Sequence, residues 1–196
     1  MPLPGLPRRN IKMFEDKSDP VYTLVERAYV RLQAGDILVM CMEQGDPAPI
    51  QHMVERLIVA GPQNLVALRE IIAELNTRKS QLHNDFHEIL DDLDDSLIKM
   101  GVPKPTVQQI NPLEIEHEGF MLLLFEEGVE HELERLECLR FLENSREMIE
   151  SVLENISLLE DLEIYLNDWL WGLIYQTTRN ELSEALLNTP KSRYRH

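Results

Sequence analysis

Carboxylates and imidazoles at helical spacing are the residues of this chain with the most obvious chemical capacity. Glu-x-x-Glu pairs recur at Glu127/Glu130, Glu134/Glu137, Glu147/Glu150 and Glu160/Glu163. Carboxylates from two facing helices can hold magnesium, a hard cation that selects oxygen ligands, and all-helical nucleotide pyrophosphohydrolases use them so. With 24 glutamates in the chain, such spacings arise unavoidably, and a solvated charged face explains them more simply. "HNDFHE" places His83 and His87 four residues apart on one helical face, where two imidazoles can share a metal. The zinc-protease pattern needs Glu directly after the first His, and Asn84 stands there. Glu114 and His117 form one Glu-x-x-His pair of the di-iron type, with no second copy at His87. Arg78 and His83 fit a loose ribonuclease-like spacing, which this many arginines and histidines produce by chance. No Gly-rich phosphate loop, nucleophile elbow or Cys-x-x-Cys is present. The residues indicate no catalytic centre and no cofactor, and they name no activity.

The remaining chemistry-bearing cluster is aromatic. "NDWLWGLIYQ" (167–176) holds both tryptophans and one of five tyrosines. Wound at about 100° per residue, Tyr165, Trp169, Leu162, Leu166, Leu170 and Leu173 share one broad core-facing side. Trp171 and Tyr175 fall on the far side beside Asp168, with Gly172 permitting close approach. The expectation is that Tyr165 and Trp169 are core, while Trp171, Tyr175, Asp168 and Gly172 form a partner-binding face. That face is covered by the N-terminal helices, by a second copy of the chain, or by another protein whose aromatic anchors sit within an acidic rim.

The elements that position these residues read as helices throughout. Few glycines (8) and abundant Leu and Glu in 196 residues point to an all-α chain of long antiparallel helices, a bundle with an elongated coiled-coil-like hairpin. Residues 1–18 read as an extended arm. Asp19 and Pro20 then start a helix whose apolar face is Val21, Leu24, Val25, Ala28, Tyr29 and Leu32, with Gly35 ending it. "DILVMCM" reads as one or two further helical turns. Asp46 and Pro47 open another helix, which Gly61 stops. From Pro62 to about Met100 runs the strongest signal: Leu65, Leu68, Ile72, Leu75, Leu82, Phe86, Ile89 and Leu93 at steps of three and four, with Lys79 in the skipped position. That heptad seam implies a helix of roughly 58 Å. Pro103, Pro105 and Pro112 bar helix through a linker at 101–112. A second, acidic helical half (113–188) carries Val129, Leu133, Leu136, Leu139, Leu142, Ile149, Val152, Ile156 and Leu159. Its phase shifts near Leu139–Leu142, so a break near "ENSRE" is expected. A basic tail (189–196) follows.

Charge narrows the partners. The formal net charge is −16, and removing the basic ends leaves −21 on residues 19–189. Such a body repels phosphate backbones and suits basic protein surfaces. Cys41 and Cys138 lie among apolar residues without metal-ligand spacing and read as buried thiols in a reducing compartment. Nothing is long and apolar enough to span a membrane. The expectation is therefore a cytoplasmic, non-enzymatic helical adaptor, assembly factor or regulator, dimeric and bound to a protein with a basic surface. The alternative is a magnesium-dependent nucleotide pyrophosphohydrolase.

Overall fold

The heptad seam needs a helix to shelter it, and the chain supplies one of its own. The computed structural model describes residues 20–59 and 64–188, with side chains described for residues 24–59 and 64–184. The arm, the tail, the Asp19 cap and the Gly61–Pro62 break lie outside these described residues. Among the described residues six helices follow in order: α1 (Pro20–Gln44), α2 (Ala48–Val59), α3 (Leu65–Lys99), α4 (Lys104–Val107), α5 (His117–Glu126) and α6 (Glu132–Asn188). There is no strand among the described residues. The expected all-α bundle is what forms. At 1.5 Å per residue α3 is roughly 52 Å long and α6 roughly 85 Å. The two run antiparallel, and their pairing is the backbone of the molecule.

Two apolar cores sit at opposite ends of that pair. At one end Ala34, Leu38 and Cys41 of α1 and Ile50 and Val54 of α2 close over Leu68, Ile71 and Leu75 of α3, with Leu159, Leu162, Leu166 and Leu173 of α6. At the other, Leu93 and Leu97 of α3 meet Phe120 and Leu124 of α5, joined by Val102, Val107, Val129, Cys138, Leu139 and Leu142. Between them lies a waist where, among the described residues, α3 has only α6 as a long partner. Ile149 and Ile156 are buried there, whereas Leu82, Phe86, Ile89 and Leu90 are half-buried, because one neighbour shelters only one side of a helix. Lys79, the polar residue in the seam, donates to Glu163 of α6 and so fits an otherwise leucine-lined contact.

Helix ends follow local chemistry. Gly45, Gly101 and Gly128 take positive φ (62°, 96° and 88°). The next amide in each case returns to the carbonyl five residues back: Asp46 to Cys41, Val102 to Leu97 and Val129 to Leu124. These are Schellman-type stops, which glycine makes without a Cβ clash. Asp46 Oδ1 accepts from the Ala48 amide at 2.9 Å, as its start signal implies. Buried Asn64 donates Nδ2 to the Leu57 carbonyl at 2.6 Å, tying the end of α2 to the start of α3.

Five expectations are corrected. Gly35 does not end α1, which continues to Gln44. It is buried because α3 comes close: a Cβ there would stand 3.1 Å from Glu74 Oε1 and 3.3 Å from Arg78 Nη2. The face carrying Leu24, Val25, Ala28, Tyr29 and Leu32 is exposed rather than buried. Glu70 holds Arg31 at 2.8 Å and Arg27 at 3.8 Å, fixing the roll of α1 so that the Ala34–Leu38–Cys41 side turns inward. The proline-rich stretch contains a helical turn, α4, with Pro103 as its cap and Pro105 in the first turn, where no amide hydrogen is needed. Its Val102 and Val107 join the second core. Finally, α6 is unbroken through "ENSRE". Arg146, inside that motif, donates Nε to the Pro112 carbonyl at 2.7 Å and Nη2 to that of Ile115 at 2.5 Å. The motif clamps the preceding loop instead of interrupting the helix. Leu133 and Leu136, expected on the apolar face, are 77% and 46% exposed at the outer end of α6.

Candidate functional site

The far side of α6 is built by helix continuity. Because α6 runs uninterrupted to Asn188, Leu159, Leu162, Leu166 and Leu173 stay in one line and enter the core. Everything about 180° away must then face outward. Trp171 and Tyr175 are each 68% exposed, and Asp168 and Gly172 are exposed beside them. Beyond its own helix backbone and the adjacent Trp171 and Leu173, no atom lies within 4 Å of where a Cβ on Gly172 would be, so that side of α6 is open. All four sequence-derived partner-binding residues therefore share one solvent-facing strip. Among the described residues, the N-terminal helices do not cover it. Trp169 is a correction: it is exposed rather than core, with its ring edge-on to Tyr165 at 6.3 Å between centroids.

The strip is longer than sequence reasoning placed it. Ile164 (64% exposed) and Leu182 (60%) extend it at both ends. The steps from 164 to 171, 175 and 182 are seven, four and seven, which is a heptad line on the surface opposite the core. The spacing was present in the sequence, but only the burial of the inner leucines separates this second line from the first. Acid surrounds its N-terminal half. Glu160 and Asp161 are exposed, and among the described residues neither they nor Asp168 form a salt bridge. Arg179 is the basic residue along this stretch of α6.

The candidate metal ligands are dispersed. Glu127 ends α5, its Oε1 accepting from Thr106 at 2.9 Å. Glu130 lies in the following loop, while Glu147 and Glu150 sit exposed on α6. His83 and His87 are exposed on α3, and the His87 ring meets Phe86 edge-on at 5.6 Å. Arg78 pairs with Glu74 at 3.2 Å, and His117 faces Glu143 at 3.5 Å. Among the described residues no three His, Cys, Asp or Glu side chains converge closely enough to hold an ion. Glu147 does share an open groove of about 580 Å³ at the waist with Asp85, Glu88 and Asp92, lined also by Ile89, Met148, Ser151 and Val152.

Both cysteines are buried thiols, as expected. Burial pushes each above its ordinary range. A backbone hydrogen bond from Ile50 lowers Cys41 and Asp46 raises it. For Cys138 a backbone hydrogen bond opposes, and Glu134 and Glu137 raise it further. They are held as neutral apolar groups, Cys138 against the Met100 thioether at 3.2 Å. No helix among the described residues is long and apolar enough to cross a membrane. Compared with protein-family models, curated proteins and solved structures, the chain matches none of them.

Proposed function

We propose that the chain is a non-enzymatic helical adaptor, assembly factor or regulator that binds a protein with a basic surface through the outer face of α6. The observation that carries this reading is the exposure of Trp171 and Tyr175 on an acidic rod, with apolar residues continuing along the same line. Aromatic anchors within a polar rim are how protein interfaces concentrate their binding free energy. A fold-stabilising role supports nothing here, because these side chains lie opposite the core. Acidic flanks favour a basic partner by steering and by pairing.

Self-association into a dimer belongs to the proposal through a different surface. Two α6 strips facing each other would oppose like charges. The outer stripe of α1, with Leu24, Val25 and Leu32 exposed, is electrically balanced by Glu26, Arg27, Arg31 and Asp36 and suits a second copy better. Affinity purification with wild type and Trp171→Ala, at low and at high salt, tests the adaptor reading. The expected result is a set of partners lost at high ionic strength and lost with the variant. Partners indifferent to both changes would refute it.

A further inference from the structure

We infer that the occupant of the outer α6 face is an amphipathic helix with basic flanks, packed alongside α6 in coiled-coil fashion. This rests on the adaptor reading and names the chemistry of its partner. Three observations carry it.

The first is the line itself. Ile164, Trp171, Tyr175 and Leu182 are 60–68% exposed at steps of seven, four and seven, the repeat that keeps one edge facing a neighbouring helix over several turns. From 164 to 182 it covers roughly 27 Å, a length a helix of five turns matches. The second is the shape. The strip is a ridge on a continuous helix whose backbone hydrogen bonds are internal, so it has no strand edge for an extended peptide to extend. Gly172 adds no side chain beside the Trp171 knob, so a partner helix can approach the α6 backbone closely there. The third is charge. Asp168 occupies the seam position between Ile164 and Trp171, and Glu160 and Asp161 flank it. No intramolecular ion pair involves these three among the described residues. A carboxylate enclosed in a helix–helix seam needs a cation opposite it. A Lys or Arg within the partner's own apolar stripe meets that need and fixes the register.

The test uses the full chain carrying Trp169→Phe, so that Trp171 is its one tryptophan. The probe is a synthetic tryptophan-free helix of about three heptads, with leucine along its seam, one lysine replacing a seam leucine, and lysine and arginine on its flanks. Two controls share its length: one with the same composition scrambled, one with glutamate flanks. The expected result is a saturable blue shift of Trp171 emission with the basic patterned helix. Its affinity should exceed that of the scrambled peptide about 10-fold or more, fall about 30-fold with Tyr175→Ala, and weaken as salt rises. Circular dichroism of Tyr175→Ala should match wild type, since the residue lies outside both cores.

Equal binding of patterned and scrambled peptides would overturn the inference, because charge alone would then suffice. A concentration-dependent blue shift without peptide, together with self-association in sedimentation that Trp171→Ala abolishes, would overturn it by assigning the strip to a second copy. No binding by any peptide, with Trp171→Ala still losing salt-sensitive partners in affinity purification, would overturn the helix inference and leave the adaptor reading standing. Loss of no partner in that variant would remove both.

Discussion

Lys79 is the residue that breaks the leucine repeat of α3, and its pairing with Glu163 is the place where the α3–α6 register can be measured. The side chains are 22% and 29% exposed, so most of each is removed from water but neither is sealed. Exposed pairs couple by less than about 1 kcal/mol, and removing one member of a buried pair costs about 3–5 kcal/mol. A pair three-quarters withdrawn falls between: Lys79→Ala or Glu163→Gln alone should cost about 2 kcal/mol, with a coupling of about 1–2 kcal/mol. Replacing both, as Lys79→Met with Glu163→Leu, extends the surrounding seam and should return stability to within about 1 kcal/mol of wild type. The assay is a double-mutant cycle by urea unfolding, with midpoints compared at equal m-values. Repeating it at 1 M salt should lower the coupling only in part, because the pair is shielded. A coupling below about 0.3 kcal/mol would place Lys79 and Glu163 outside each other's reach. The antiparallel register of α3 against α6 would then be wrong.

Other perturbations separate core from surface. Leu166→Ala, in the first core, should destabilise by about 2–5 kcal/mol, whereas Trp171→Ala, five residues on and facing out, should cost at most about 1 kcal/mol; comparable losses in thermal unfolding would put Trp171 in the core. Gly35→Ala should stay within about 1 kcal/mol of wild type, since helix propensity offsets the displacement of the Glu74–Arg78 ends. Gly35→Leu should cost about 1–3 kcal/mol by pushing α1 off α3, and a neutral Leu variant would refute the close approach. Asp94 has its carboxyl raised by burial and by Asp91 and Asp95, with Lys104 opposing. Its charged form therefore weakens the fold above its folded pKa, a penalty that disappears as pH falls through that value. Asp94→Asn should melt higher than wild type at neutral pH, with the gap closing toward about pH 4; a gap that widens on acidification would contradict the sign.

Much of this architecture was legible in particular residues. The α3 seam, the Asp46–Pro47 start, the Gly101 stop and the outward Trp171 and Tyr175 follow from periodicity and capping chemistry. What was not legible depends on a neighbour. Gly35 reads as a stop until α3 is seen passing beside it. The α1 stripe of Leu24, Val25 and Leu32 reads as core because nothing in one helix says which of two apolar sides turns inward. Glu70 decides that from another element. Phase drift near Leu139–Leu142 resembles a break, yet it marks the change from two-helix waist to second core, with Arg146 pinned to the loop below. Ile164 and Leu182 were hidden because a second heptad line is visible only once the first is known to be buried. The exposed strip was thus located by sequence and given its extent by packing.

The central claim is that the outer face of α6 is open in the isolated chain and closed by a partner. Acrylamide quenching of Trp171 in the Trp169→Phe chain tests this most directly. The account predicts ready quenching at every protein concentration and strong protection once a basic partner is added at low salt. An indole already shielded in the isolated chain, or one equally quenchable in the complex, would contradict it.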